Sequence, residues 1–336
     1  MKPKVFVTRP LPAQAIEMLG ARFQVEVHPQ DSPMPREELA AACREVDGLL
    51  VAGTRVTEEV LSAAPKLRAI SAASVGYDNI DVAACTARRI PVTNAPGVLE
   101  ETTADLTFAL LLAVARRVPE GDRYIREGRW HEWQWGLLHG ADIHHKTLGL
   151  YGFGSIGRAV ARRARGFSMR ILYYARHRVA EAIERDFEAH YVDRETLLRE
   201  SDFVSLHVPL TAETTHAFRA PEFNLMKPSA FLINASRGKV VDEEALVEAL
   251  EKKQIAGAGL DVFEREPKVH PKLLTMPNVV LVPHVGSATS ETRLKMAMLA
   301  AESLIALLEG RRPPNVVNPE VYEETLNTKA RRHKDA

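Results

Sequence analysis

The chain has 336 residues, of which 46% are hydrophobic and 26% are charged, and its 44 basic and 44 acidic side chains cancel. This length and composition are typical of a soluble globular protein with two domains, and the balanced charge argues against binding to nucleic acid or a membrane surface. The two cysteines, Cys43 and Cys85, suit neither a disulfide framework nor a metal site, so we expect no metal. The absence of an apolar leader or a bilayer-length apolar run predicts a cytoplasmic protein.

Residues 1–99 are predicted to form one α/β unit, because strands alternate with helices and this alternation favours a parallel sheet with covered faces. The predicted strands are residues 4–8, 23–28, 48–52, 67–73 and 90–93, and the predicted helices are residues 13–19, 35–46 and 58–64. Residues 74–79 and 94–97 follow strands, at the edge where open α/β sheets bind ligands. Ordinary turns rich in Gly, Asn, Asp and Pro remain the alternative for both segments.

A long helix is predicted over residues 101–118, and its nearly all-round hydrophobicity favours a buried position. All three tryptophans follow it within a polar, irregular stretch, at Trp130, Trp133 and Trp135. Clustered aromatics outside a core indicate an interface with another chain. A locally packed loop is the alternative.

The segment 147–158 carries the motif Gly152-x-Gly154-x-x-Gly157, between a short apolar strand and a helix that opens at Ser155 and Ile156. Gly152 permits the tight turn, Gly154 lets a pyrophosphate approach the backbone, and Gly157 allows close packing of helix on strand. The free N–H groups of the helix then face the phosphates. Because a second strand at 169–174 completes a βαβ unit, the motif predicts dinucleotide binding.

Alternating elements continue to residue 287 and predict a second doubly wound unit over residues 100–287. Its remaining strands are predicted at 203–208, 230–234, 256–260 and 279–282, and its helices at 155–165, 194–200, 221–226 and 242–252. A last helix at 290–309 is long enough to return to the first unit. The charged residues 319–336 are expected to be a solvent-exposed tail.

The residues after strand 169–174 predict which dinucleotide is used. An NAD-preferring unit carries an acid about 20 residues beyond the glycines, where it accepts the ribose 2′-OH. Here Ala175 occupies that place and is followed by Arg176, His177 and Arg178. Two guanidiniums and an imidazole suit a 2′-phosphate, so we expect NADPH to be preferred over NADH. A solvated basic loop is the alternative.

Three candidates for chemistry each follow an apolar strand of the second unit, namely Arg237, Glu266 and His284. An arginine can hold a carboxylate through two parallel N–H···O bonds. A histidine can transfer a proton near neutral pH, and a neighbouring carboxylate favours the imidazolium and orients it. Taken singly, each is also compatible with a strand-end turn or a solvated corner.

These motifs together strongly resemble the D-isomer-specific 2-hydroxyacid dehydrogenase family, and within it the glyoxylate/hydroxypyruvate reductases, over residues 3–318. The matching segments are residues 75–81, 152–157, 207–211, 234–238, 259–267 and 283–287. The resemblance implies that Arg237 binds the substrate carboxylate and carbonyl, that His284 is the acid/base and that Glu266 is its partner. It also implies that substrate contacts come from Val75, Gly76 and Ser287. Further cofactor contacts are implied at Thr103, His207, Pro209, Thr214, Ala235, Ser236, Asp261 and Gly286.

The same resemblance implies a Rossmann-type dinucleotide-binding domain at 100–287, a flavodoxin-like substrate domain built from 1–99 and 288–318, and a homodimer formed through the first of these. The expected reactions are reduction of glyoxylate to glycolate and of hydroxypyruvate to D-glycerate. One departure concerns the tryptophans, which do not align with the pocket-shaping tryptophan of some reductases; Leu137 falls near that position.

Rival functions remain open at this point. A 2-ketogluconate reductase and a phosphoglycerate dehydrogenase are the nearest enzymes, although the latter usually carries a further regulatory domain. Formate dehydrogenases pair their histidine with glutamine instead of glutamate. A dinucleotide-sensing corepressor on the same fold is the alternative from another class.

Overall fold

The structure, a computed structural model, describes residues 2–323, and these form two compact units. The first unit comprises the chain up to Leu99 together with the segment from Thr289, and the second comprises Glu100–Ala288. The expected tail begins with a short 3-10 turn, Pro319–Tyr322, in which Val321 is buried. The rest of that tail lies outside the described residues.

The first unit contains a five-stranded parallel sheet in the order β2-β1-β3-β4-β5. Its strands are β1 (Lys4–Val7), β2 (Gln24–Val27), β3 (Gly48–Val51), β4 (Ala69–Ala72) and β5 (Val92–Thr93), and its helices are α1 (Ala13–Gly20), α2 (Arg36–Ala42), α3 (Glu58–Ser62), α4 (Val82–Ala87) and α12 (Ser290–Leu308). Neighbouring strand residues such as Leu49 and Leu50 belong to two different apolar cores, one on each face of the sheet. Helix α12 covers one face closely, since a side chain at Gly48 would meet Leu308.

The second unit is a seven-stranded parallel sheet in the order β12-β11-β10-β9-β6-β7-β8. Its strands are β6 (Thr147–Tyr151), β7 (Arg170–Tyr174), β8 (Ala189–Tyr191), β9 (Phe203–Leu206), β10 (Phe231–Asn234), β11 (Gly257–Leu260) and β12 (Val279–Leu281), and its helices are α5 (Glu100–Ala115), α6 (Val118–Arg126), α7 (Ser155–Arg165), α8 (Glu181–Phe187), α9 (Arg194–Glu200), α10 (Ala220–Leu225) and α11 (Glu243–Glu251). The first six strands in chain order follow the Rossmann arrangement, whose order reverses between β6 and β9. The expected α/β architecture is confirmed.

Several predicted elements differ from the observed ones. The helix predicted over 101–118 ends at Ala115, and a separate helix, α6, follows it, because Arg117 adopts a left-handed conformation and Pro119 fits only the first turn of a helix. Helices α4, α6 and α8 and strand β8 were not predicted; β8 is a short edge strand with two exposed residues and lacks an apolar pattern. Within residues 2–323, no helix is both long and apolar enough to cross a membrane.

The tryptophan stretch forms neither helix nor strand. Trp133 and Trp135 are 73% and 81% exposed and contact each other edge to face, with 6.0 Å between ring centroids. Trp130 is also exposed. The alternative of a locally packed aromatic loop is therefore wrong, and the role of these side chains in an interface stays a prediction.

Candidate active site

Three neighbouring strands of the second unit present the predicted catalytic side chains. Arg237 lies beyond β10, Glu266 beyond β11 and His284 beyond β12, and these strands are adjacent and parallel. The carboxyl ends of parallel strands meet at one edge of a sheet. The topology thus gathers three loops that are well separated in sequence.

The imidazole of His284 is hydrogen-bonded to the carboxylate of Glu266, with 2.8 Å between Nδ1 and Oε2. The other Glu266 oxygen accepts the backbone N–H of Phe263 at 3.0 Å, which fixes the carboxylate on its own loop. Burial favours the neutral carboxyl, but the hydrogen bond and charge of His284 outweigh it and hold the pKa of Glu266 below its usual range. An ionised Glu266 keeps a proton on Nδ1, so Nε2 is the nitrogen that can exchange a proton with a bound molecule.

The backbone of His284 is held by Asp261, at the end of β11. Its carbonyl accepts the N–H of His284 at 2.8 Å, and its two carboxylate oxygens accept the N–H groups of Val285 and Gly286 at 2.6 and 2.9 Å. Burial raises the pKa of Asp261, although these N–H groups favour its charged form. Asp261 thereby orients the loop of His284, a residue whose φ of +53° few non-glycine residues adopt. Thr103 packs against this loop, 3.5 Å from the position that a Cβ would take at Gly286.

Arg237 is positioned by a side chain to which sequence reasoning assigned no role. Asn234, the last residue of β10, donates to the carbonyl of Arg237 at 3.0 Å and accepts from the N–H and hydroxyl of Ser236 at 3.0 and 2.8 Å. An asparagine directly after a buried apolar run was the available signal. A side chain at Gly238 would overlap the Phe263 backbone, so the loops of Arg237 and Glu266 are in close contact. The charge of Arg237 also contributes to the low pKa of Glu266.

The glycine loop has the shape that its motif predicts. Gly152 has a φ of +102°, and a side chain there would overlap the carbonyl of His207; a side chain at Gly157 would overlap the carbonyl of Gly152. At Gly154 a Cβ would enter open space, directly before the eleven-residue helix α7 that opens with Ser155. A phosphate group fits this opening, since the N–H groups of a helix start favour an anion.

A second loop, after β9, lies against the glycine loop at the point where the strand order reverses. The Nε2 of His207 is 2.8 Å from the hydroxyl of Ser205, and its Nδ1 is buried without a hydrogen-bond partner among residues 2–323. Burial lowers the pKa of His207 to about 3, so the ring is neutral. The Thr214 hydroxyl donates to the carbonyl of Pro209 at 2.6 Å and closes this loop on itself.

The basic loop after β7 carries the exposed side chains of Arg176, His177 and Arg178. The guanidinium of Arg178 forms an ion pair with Glu184 of α8 through two hydrogen bonds, at 2.8 and 2.7 Å. Of the two guanidiniums predicted to face a 2′-phosphate, one is thus held by an acid that sequence reasoning did not consider.

In the first unit, the two loops noted after strands are joined to each other. Asn94 donates from its side chain to the carbonyl of Val75 at 2.8 Å, and Ala95 donates its N–H to the carbonyl of Ser74 at 2.8 Å. The Ser74 hydroxyl donates to the carbonyl of Gly76 at 2.7 Å. The carbonyls of Val75 and Gly76 are therefore already bonded within this loop, which leaves their N–H groups as the groups that could bind an anion.

Known proteins of one enzyme family are similar to this chain over most of its length. The family described as D-isomer specific 2-hydroxyacid dehydrogenase, NAD binding domain, matches residues 108–286. A glyoxylate reductase from Thermococcus litoralis is 52% identical over 326 residues, which cover 96% of this chain and 98% of that protein. The chain belongs to the D-isomer-specific 2-hydroxyacid dehydrogenase family.

Solved structures of similar proteins agree with this assignment. A protein from Thermus thermophilus has a TM-score of 0.88 at 46% identity, covering 94% of this chain and 99% of its own. An NADPH-dependent glyoxylate/hydroxypyruvate reductase from Sinorhizobium meliloti, in complex with NADP and malonate, has a TM-score of 0.86 at 35% identity, covering 96% and 98%. As a member of the family, this dehydrogenase is an oxidoreductase that uses a nicotinamide dinucleotide, and the opening at Gly154 fits such a cofactor.

Proposed function

We propose that this dehydrogenase reduces small 2-oxo acids, with glyoxylate to glycolate and hydroxypyruvate to D-glycerate as its reactions. The observation that carries the proposal is the 2.8 Å hydrogen bond between His284 and Glu266, on the sheet edge that also presents Arg237. A proton donor beside a carboxylate-binding arginine is the pair of groups that reduction of a 2-oxo acid needs. The similarity to the Thermococcus glyoxylate reductase supports a small substrate.

Two side chains divide the work on the substrate. The planar guanidinium of Arg237 binds the substrate carboxylate through parallel N–H···O bonds and polarises the carbonyl. His284, as an imidazolium oriented by Glu266, donates its Nε2 proton to the oxygen on which negative charge develops. The bound dinucleotide supplies the hydride. Backbone N–H groups at Val75–Gly76 and the side chain of Ser287 are proposed as further substrate contacts.

We propose that NADPH is the preferred cofactor. Ala175 stands where an acid would accept the ribose 2′-OH, and Arg176 is exposed on the same loop. A charge-assisted contact to the 2′-phosphate favours NADPH by on the order of 10- to 100-fold, and this preference declines as salt rises. The remaining cofactor contacts of the second unit are proposed at Thr103, the glycine loop 152–157, His207, Pro209, Thr214, Ala235, Ser236, Asp261 and Gly286.

The proposed assembly is a cytoplasmic homodimer formed through the second unit. The exposed side chains of Trp133 and Trp135 support an interface on that unit, because apolar surface of this kind is usually covered by a partner. Reduction of 2-ketogluconate is the alternative activity, and it follows if the substrate pocket admits a larger 2-oxo acid.

The test is a panel of kcat/KM values for glyoxylate, hydroxypyruvate, pyruvate and 2-ketogluconate, each with NADPH and with NADH. We expect glyoxylate or hydroxypyruvate to lead, with NADPH as the better cofactor. A lead for 2-ketogluconate would replace the proposed substrate. Binding of NADPH without turnover of any 2-oxo acid would favour a sensing protein instead of an enzyme.

A further inference from the structure

The loop after β7 is tied to helix α8 by an ion pair with two hydrogen bonds. The Nε and Nη2 atoms of Arg178 lie 2.8 and 2.7 Å from the two carboxylate oxygens of Glu184. This side-by-side arrangement uses the edge of the guanidinium that would otherwise fit a phosphate. Arg178 also lies over the ring of Tyr191, 6.0 Å from its centroid.

A buried phenol anchors this ion pair to the sheet. The hydroxyl of Tyr173, a fully buried residue of β7, donates to Glu184 at 2.7 Å and accepts the backbone N–H of Val179 at 3.1 Å. Hydrogen bonds from Arg178 and then from Tyr173 lower the pKa of Glu184 to about 2. The carboxylate is therefore charged throughout the neutral range, and the end of the loop at Arg178 and Val179 is tied to Tyr173 of β7 and to Glu184 of α8. We call these three residues the Arg178–Glu184–Tyr173 clamp.

The clamp reduces the net positive charge that the loop presents to a cofactor. The positive charge of Arg178 is cancelled by Glu184, so this pair adds no net attraction for an anion. Arg176 lies two positions earlier on the same loop; both arginine side chains are exposed, and Arg176 is not part of this ion pair. Arg176 and Arg178 are thus not equivalent, although both belong to the same Arg-His-Arg run.

We propose that Glu184 and Tyr173 are positioning residues for cofactor selection, which hold Arg178 as a fixed part of the loop and leave Arg176 as the guanidinium that meets the 2′-phosphate. The proposal rests on the NADPH preference put forward above and names the residues behind it. Arg178 acts through the clamp instead of through direct contact with the cofactor. Removing Arg178 alone, which leaves the largely buried carboxylate of Glu184 without its cation, should therefore be more harmful than removing both charges.

A double-mutant cycle in the full chain tests this role, with KM and kcat measured for NADPH and NADH. We expect Arg178→Met to raise KM for NADPH about tenfold, because the uncompensated Glu184 repels the anionic cofactor. The kcat should stay unchanged, since the residues that handle the substrate are untouched. Adding Glu184→Gln should bring KM back to within about threefold of the parent value, because the amide carries no charge and still accepts from Tyr173.

Two further variants test Arg176 directly and supply a control for the loss of an arginine. Arg176→Ala should abolish most of the NADPH preference, a loss of about tenfold or more, since it removes the charge that meets the phosphate. Arg185→Met is the matched control; this arginine of α8 pairs with Glu181 at 3.7 Å, both side chains are exposed, and cofactor KM should not change.

The outcomes separate the clamp from the proposed function. A double variant as weak as Arg178→Met would overturn the clamp, because it would mean that the guanidinium of Arg178 itself binds the phosphate; an unchanged KM in Arg178→Met would overturn it as well. If the parent protein turned over no 2-oxo acid, the proposed reaction would be contradicted instead. In that case the same double-mutant cycle, with the affinity for NADPH measured by calorimetry, still tests the Arg178–Glu184–Tyr173 clamp.

Discussion

At the scale of single residues, the acid/base role that we propose for His284 depends on its 2.8 Å contact with Glu266. Because the pKa of Glu266 lies below its usual range, its carboxylate is ionised at neutral pH, and the stabilisation from this contact is lost as pH falls through that lowered pKa. The proposed reaction uses His284 as an imidazolium proton donor, and the hydrogen bond to Glu266 favours that charged form of the ring.

Glu266→Gln should therefore move the alkaline fall in the rate of reduction to lower pH, because the amide no longer favours the imidazolium. Cofactor affinity should remain close to that of the parent. The measurement is the pH dependence of kcat/KM for glyoxylate in both proteins. If the two profiles coincide, Glu266 does not control the proton donor.

Arg237 is the second residue whose chemistry can be tested alone. Arg237→Lys retains the charge but loses the planar fork, so we expect kcat/KM for glyoxylate to fall at least about tenfold, or roughly 1.4 kcal/mol. Arg219→Lys, at an exposed arginine of the same unit, is the control and should leave kcat/KM unchanged. Parent-like kinetics in Arg237→Lys would remove this residue from the proposed site.

At the scale of elements, the turn between strand β6 and helix α7 contains two glycines with different roles. Gly152 has a positive φ and no room for a side chain beside His207, whereas Gly154 faces open space with a φ of −74°. The first glycine is required by the fold of the turn. The second is required, in our interpretation, by the ligand.

We expect Gly152→Ala to lower the free energy of unfolding by about 2 kcal/mol or more, because the new Cβ combines strained backbone with overlap. Gly154→Ala should leave the melting temperature nearly unchanged and still weaken NADPH binding, since its methyl group would occupy the approach of the pyrophosphate. Thermal unfolding and calorimetric titration separate the two effects. Equal loss of stability in both variants would contradict this division.

At the scale of the whole molecule, the second unit exposes apolar side chains beyond its site. Val118 and Ile125 on α6 are more than half exposed, and the tryptophan stretch follows that helix directly. A soluble monomer rarely keeps such a concentration of apolar surface uncovered. This is the surface on which we expect the partner of a homodimer to bind.

Trp133→Glu should convert a dimer into a monomer, because a carboxylate buried in an interface without a partner carries a large desolvation cost. Leu274→Glu, at an isolated exposed leucine of the same unit, should leave the assembly unchanged. Sedimentation equilibrium distinguishes the two. A monomeric parent protein, or dissociation in both variants, would rule out this surface as the interface.

Much of the fold followed from local patterns in the sequence. Short apolar strands that alternate with helices predicted the parallel sheets and the edge on which Arg237, Glu266 and His284 lie, and the Gly152–Gly157 motif predicted the turn after β6. These features are local, since a glycine turn or a buried strand is set by residues a few positions apart. Helix α8 and strand β8 escaped prediction because their exposed, polar residues acquire their structure from neighbours on β7.

Only the tertiary structure decided which side chains hold the functional ones in place. Asp261 binds the backbone after His284, Asn234 binds the backbone of Arg237, and Glu184 takes the guanidinium of Arg178. Each of these bonds joins a polar side chain to a partner whose position depends on the whole sheet or on a neighbouring loop. Sequence patterns report which residues are apolar or can turn the chain; the partner of a hydrogen bond is selected by geometry that exists only once the strands are packed side by side.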